Sequence, residues 1–235
     1  MKGETLEKLH KKHIFSIEGN IGSGKSTIIQ HLQKIYKGKV LLVEEPVEQW
    51  QNIENQNLLA KKNEDLCRWG YTFESYVLIT KMNELVKAAE SESDIILIER
   101  CMLTDKVFFD VNVKNGKVDP MEIAMFDNLF TFLKSCVYPK LSGIIYLDCP
   151  SDVCVKRIAI RGRGEEACLT LDYLDQLDGA FKSVIQESGI SCLYLNGVYD
   201  LKTDIYKVEQ QLTDFIDKKV KEKVIENEID PAKAK

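Results

Sequence analysis

Five short aliphatic runs, HIFSI, VLLVE, DIILI, GIIYL and CLYLN, are each followed by a polar turn and then a helical pattern. That rhythm limits the possible folds more than any other feature of the sequence. A strand solvated on one face alternates apolar and polar residues, whereas a strand covered on both faces reads as a continuous apolar run. Strand–helix alternation then calls for parallel neighbours joined by right-handed crossovers. The expectation is an α/β fold with a five-stranded parallel sheet flanked by helices. Helical periodicity over residues 69–90, 120–135, 151–160, 170–189 and 202–223 supplies the covering layers.

With 235 residues and 44% hydrophobic content, the chain can bury one sizeable core and is short for two. A single domain over residues 1–223 is expected, with 224–235 as a charged, flexible tail. The net charge of −5 provides no general attraction to nucleic acid or to an anionic membrane. Affinity for phosphate must therefore be built locally. Seven cysteines without a CxxC pair read as reduced thiols. The opening MKGETLEKLHKKH lacks the apolar core of a secretory signal, and its early glutamates disfavour a mitochondrial presequence. No apolar run reaches the roughly 18 residues of a membrane span. A cytoplasmic location is expected, or another reducing compartment.

The first run leads into GNIGSGKST, residues 19–27, which satisfies G-x-x-x-x-G-K-[ST] after a strand and before a helix pattern. Gly19, Gly22 and Gly24 let successive N–H groups converge on phosphate oxygens, with Asn20, Ile21, Ser23 and Thr27 completing the cradle. Lys25 is expected on the β/γ phosphates and the Ser26 hydroxyl on Mg²⁺. A chance glycine-rich turn would not have this context. The loop implies a nucleoside triphosphate but leaves the acceptor open; the absence of an N/TKxD motif weighs against a GTPase switch.

Acceptor chemistry is sought at the carboxyl ends of the other strands. After the second run stands EEPVEQW, residues 44–50, where Glu44 or Glu45 could take a proton from a hydroxyl. After the third, IER places Glu99 for Mg²⁺ and Arg100 for phosphate or hydroxyl charge, with Asp105 and Phe109 one helical turn apart beyond them. A surface ion pair is the competing reading. After the fourth, DVCVKRIAIRGRGEE gathers Lys156, Arg157, Arg161 and Arg163 around Gly162 and Gly164, with Glu165 and Glu166 behind. Such a segment reads as a lid over the transferring group, the alternative being a helix end with favourable dipole charges.

Together IEGNIGSGKST, EEPVEQW, RWGYTFESYV, IERCMLTDKVFF, RIAIRGRGEE, LDYLDQL and NGVYDL resemble the deoxynucleoside kinase family, of the deoxycytidine and deoxyguanosine kinase type, from about residue 14 to residue 201. The resemblance implies a P-loop kinase fold with an arginine-rich lid, ATP as phosphate donor, Mg²⁺, a role in nucleotide salvage and a homodimer. It makes Glu45 the base on the sugar 5′-hydroxyl, with Glu99 assisting Mg²⁺ and Arg100 beside the 5′-oxygen. Arg161 and Arg163 become lid arginines, and Glu166 touches the 3′-hydroxyl. Trp50, Phe73 and Phe109 wall the base slot, and Tyr199, Asp200 and Leu201 lie near the adenine.

The sequence departs from the family pattern at Cys101, at Asn63 in place of a tyrosine, at Lys81 in place of an arginine, and most of all at Glu74. There the family has a glutamine that reads the base edge. A glutamine offers a donor and an acceptor, whereas an ionised glutamate only accepts. Guanine presents N1–H and N2–H₂ side by side, matched to one carboxylate. Lys81 lies about 10 Å along the helix from Glu74 and is expected to pair with Asp105 or to donate to O6. A purine deoxynucleoside, deoxyguanosine first, is the expected substrate; thymidine or mixed use is the alternative. The rival functions are a thymidylate-type monophosphate kinase and a non-catalytic nucleotide-binding module.

Overall fold

The computed structural model describes residues 3–166 and 168–229. After α1 (Gly3–Lys11), strand β1 (His13–Gly19) leads through the glycine-rich loop into α2 (Lys25–Tyr36). Then come β2 (Val40–Val43), α3 (Val47–Gln51), α4 (Leu58–Glu64), the long α5 (Leu66–Ala88) and β3 (Ile95–Glu99). The second half holds α6 (Met102–Lys114), α7 (Pro120–Cys136), β4 (Gly143–Asp148), α8 (Ser151–Arg161), a 3₁₀ turn (Gly164–Glu166), α9 (Leu171–Glu187), β5 (Cys192–Asn196) and α10 (Tyr206–Ile229).

The sheet has five strands in the order β2-β3-β1-β4-β5, every pair parallel. Strand β1 is central and buried along its whole length. Successive side chains point to opposite faces, and each face has its own core. Ile14, Ile96, Ile98, Ile144 and Tyr146 pack beneath α5, α6, α7 and α9. Phe15, Ile17, Leu97, Ile145 and Leu147 pack against α2 and α10. This two-sided burial is the physical origin of the continuous aliphatic runs.

From β1 the chain passes to the sheet edge at β2, returns through β3, and crosses to the other side of β1 as β4. The direction of winding reverses there, opening a crevice above the carboxyl ends of β1 and β3. A third, smaller apolar cluster of Trp50, Leu58, Phe73 and Val77 sits beside that crevice. It holds α3 and α4 against α5.

All five strands lie where the aliphatic runs put them, within one or two residues. Helix α5 begins at Leu66 because Asp65 caps it, its carboxylate accepting from the Arg68 N–H at 3.0 Å. At the charged end the backbone is helical through Ile229, and residues 230–235 of the expected tail lie outside the described residues. Helices α1, α3 and α4 are too short to register as periodic patterns. Among the described residues no helix is long and apolar enough to cross a membrane, and no two cysteines are joined in a disulfide.

Candidate active site

The crevice is a cleft of about 1820 Å³ lined at one end by the glycine-rich loop and at the other by α3, α4 and α5. In the loop Gly22 has φ +80° and Gly24 φ +106°, conformations that L side chains avoid. A Cβ on Gly22 would meet the Cys154 carbonyl oxygen at 2.8 Å, and one on Gly24 would meet Leu201 Cδ1 at 2.9 Å. Ile21, Gly22, Gly24, Lys25, Ser26 and Thr27 face the cleft. The side chains of Asn20 and Ser23 are buried in the protein: Asn20 donates to the Leu174 carbonyl at 2.8 Å, tying the loop to α9.

Lys25 opens α2, and its ammonium donates to the carbonyls of Gly19 (3.3 Å) and Asn20 (3.1 Å). Burial, followed by the nearby Arg100 charge, lowers its pKa to about 8. An anion at the helix N-terminus offsets both effects.

Arg100 follows β3 in the left-handed region, φ 59°, a conformation kept in place only where the surroundings over-determine it. Its N–H donates to the Ile17 carbonyl at 3.2 Å. Its guanidinium donates to both Glu45 oxygens at 3.3 and 3.4 Å and to the Gly19 carbonyl at 3.3 Å, resting over the rings of Phe108 and Phe181. The strain is held by Glu18, a fully buried acid that the sequence reading passed over. Its carboxylate accepts from Ser16, from the Cys101 N–H at 2.7 Å and from Thr104 at 2.7 Å. It anchors the start of α6 beside Arg100. An acid inside a strand buried along its whole length, HIFSIEG, was the available signal.

Of the two acids after β2, Glu44 is exposed and Glu45 is half-buried. Burial alone would push the Glu45 carboxyl up, but the charges of Arg100, Lys81 and Lys25 outweigh it and hold Glu45 below its ordinary value. It therefore stays ionised at neutral pH. Glu99 is pushed the other way, by burial and then by Glu45.

On the acceptor side, Trp50 and Phe73 meet edge to face with centroids 5.5 Å apart, and the Trp50 indole donates to Thr80 at 2.9 Å. Phe109 is not at the cleft: it stacks on Phe126 at 3.8 Å inside the core. Phe108 lines the wall in its place, with Tyr173. Lys81 binds Asp105 at 2.7 Å and lies 3.7 Å from Glu45. Burial acts against its charge, yet these two carboxylates raise its pKa. Burial raises Asp105 to about 6.

Glu74 faces the same cleft with its side chain 4% exposed. Burial pushes its carboxyl up to about 7, against the opposing pull of Lys62. Among the described residues its Oε1 is buried without a hydrogen-bond partner, and Lys62 Nζ lies 3.7 Å from it.

The lid follows α8. Gly162, φ 66°, caps the helix, and Arg161 grips Glu166 through two nitrogens at 3.0 and 2.6 Å, with Arg163 at 3.7 Å. Glu166 is thus committed to the arginines. Arg157 donates to the carbonyls of Ser23, Gly197, Val198 and Tyr199, joining the phosphate loop to the segment after β5. Asp200 and Leu201 line the cleft. Tyr199 contributes its carbonyl to that clamp, while its ring packs beside Lys207.

A phosphate cradle at a sheet switch point, facing an ionised carboxylate held by arginine and an aromatic pocket, defines a P-loop phosphotransferase with a small-molecule acceptor. The deoxynucleoside kinase family model matches residues 15–231. A probable deoxycytidine kinase of fowlpox virus (strain NVSL) is 32% identical over 219 residues, covering 91% of this chain and 90% of its own. Deoxycytidine kinase 2 of Gallus gallus is 28% identical over 91% of this chain and 88% of its own, and human mitochondrial thymidine kinase 2 is 28% identical over 73% and 63%. The chain belongs to the deoxynucleoside kinase family.

Proposed function

We propose that this kinase transfers the γ-phosphoryl group of ATP to the 5′-hydroxyl of a purine deoxynucleoside, deoxyguanosine first. The carrying observation is Glu74, a buried acid with an unpartnered oxygen at the acceptor end of the cleft. A carboxylate there accepts two adjacent N–H donors, and of the four bases guanine alone offers them. Lys62 and Lys81 each face a carboxylate, which supports a neutral acceptor over a nucleoside monophosphate. Protonated Glu74 would offer a donor and an acceptor as a glutamine does, and its raised pKa supports broader base use as a second reading.

In this mechanism Lys25 and the loop amides hold the triphosphate in line with the acceptor. Glu45, kept ionised by Arg100, orients the 5′-hydroxyl and receives its proton. Phosphoryl transfer is loose, so orientation matters more than base strength. Arg161 and Arg163 offset charge on the moving group. Mg²⁺ would be held by the exposed Ser26 hydroxyl and by Glu99. These are hard oxygen donors facing the cleft, and a cation would relieve the mutual repulsion of Glu99 and Glu45. The ion's contribution is to neutralise phosphate charge. A homodimer is supported by Met121, Met125 and Phe132, exposed on one face of α7.

Incubation with ATP and either deoxyguanosine or its 5′-monophosphate tests the acceptor. Turnover of the nucleoside supports the proposal, and turnover of the monophosphate alone overturns it.

A further inference from the structure

Glu74 does not face the cleft alone. Helix α4 brings Lys62 across from it, the ammonium 3.7 Å from Glu74 Oε1 and 5.3 Å from the centroid of the Phe73 ring. At 3.7 Å the two ions attract without completing a hydrogen bond. The Lys62 side chain is 12% exposed, and an ammonium carries three donors. Lys81, the other cation nearby, is committed to Asp105 and Glu45, so a further donor to the base must come from elsewhere.

We propose that Lys62 is a specificity-determining residue which, with Glu74, forms a three-point donor–acceptor–acceptor array for the Watson–Crick edge of the base. The inference rests on the acceptor assignment above. Lys62 approaches Oε1, so the array reads Nζ, Oε1, Oε2. Guanine presents the complement: O6 accepts, N1–H donates and N2–H₂ donates. Hypoxanthine matches the first two positions and lacks the third. Thymine matches at O4 and N3–H but sets its O2 against a carboxylate oxygen. Adenine and cytosine place an amino group against the ammonium and a ring nitrogen lone pair against the carboxylate, a mismatch at both positions. Unpaired or opposed polar groups in a buried site are what make such discrimination steep. The cation also explains how an acid is tolerated where burial is otherwise so unfavourable to charge.

The test is steady-state kinetics of the whole enzyme and its Lys62→Met and Lys62→Gln variants with ATP and deoxyguanosine, deoxyinosine, thymidine, deoxyadenosine and deoxycytidine. Melting temperatures establish that each variant is folded. Lys62→Met should lower kcat/KM by about tenfold or more for the three substrates with an acceptor at O6 or O4, mainly through KM. It should leave deoxyadenosine and deoxycytidine unchanged or improved. Lys62→Gln, which keeps a donor, should recover part of the loss. A uniform fall across all five substrates, or no change in the deoxyguanosine-to-deoxyadenosine ratio, overturns the role of Lys62. The wild-type ranking separately tests the deoxyguanosine assignment: a preference for deoxycytidine overturns that assignment even where Lys62→Met still acts selectively on O6 and O4 substrates. Failure of the wild-type enzyme to phosphorylate any nucleoside overturns both.

Discussion

Replacing Glu74 by glutamine should make the protein more stable at neutral and alkaline pH, by an amount that depends on pH in a defined way. Glu74 is 3% exposed, and burial raises its carboxyl from the ordinary 4.5 to about 7. The groups facing it are Lys62 from α4, Asp105 from α6, Glu45 from the turn after β2 and Tyr173 from α9. For an acid with a raised folded pKa, the native state binds the proton more tightly than the unfolded chain. Its contribution is therefore fully present below pH 4.5 and is lost as pH rises through about 7. The displacement corresponds to about 3 kcal/mol. Glutamine has no such dependence, and the attraction of Lys62 to the ionised carboxylate already acts in setting the Glu74 pKa at about 7, so it adds nothing separate. Urea denaturation followed by far-UV circular dichroism, at several values from about pH 5 to about pH 8, measures the difference between Glu74→Gln and wild type. That difference should move in favour of the variant by about 2.5 kcal/mol from one end of the window to the other, because the window opens just above the unfolded pKa of 4.5. A difference that does not change with pH would refute the burial of an ionisable acid at this position.

Glu45→Gln removes the proposed proton acceptor while keeping the shape, so kcat should fall by about 10²–10⁴, with the affinity for a fluorescent ATP analogue retained. Lys81→Met strips Asp105 and Glu45 of a buried counter-ion and should cost about 3 kcal/mol or more in chemical denaturation. Adding Asp105→Asn should recover part of that loss. Acidification from about pH 8 to about pH 6 protonates Glu74 and, in the proposed role, removes an acceptor facing the base edge. KM for deoxyguanosine should therefore rise relative to that for deoxyadenosine. Asp105, raised to about 6, titrates just below, and an Asp105→Asn background separates its contribution.

The sheet was readable because three of its strands, β1, β3 and β4, pack an apolar core on each face, which removes the polar alternation that makes other strands ambiguous. The phosphate loop was readable because its glycines are required by backbone angles and close contacts. Glu74 stood out as an acid where the family has an amide. What the sequence did not show depends on helix phase and on partners from other elements. Adjacent residues on a helix point about 100° apart, and this sends Phe108 to the cleft and Phe109 to the core. Lys62 lies twelve residues before Glu74, on a seven-residue helix too short to leave a periodic pattern. Glu18 was hidden by its place in a core strand, where its three donors come from Ser16, Cys101 and Thr104. Arg157 stood in the basic segment, but its use as a clamp on four backbone carbonyls needs the loop after β5 to be folded beside it.

The most direct measurement is a competition assay in which the enzyme, ATP and Mg²⁺ meet equal concentrations of deoxyguanosine, deoxyadenosine, deoxycytidine and thymidine. The 5′-monophosphate products are resolved by chromatography. Deoxyguanosine monophosphate should accumulate first, with thymidine monophosphate behind it and the other two last. Dominant formation of deoxycytidine monophosphate would contradict the reading of Glu74 and its cleft as a guanine-selective edge.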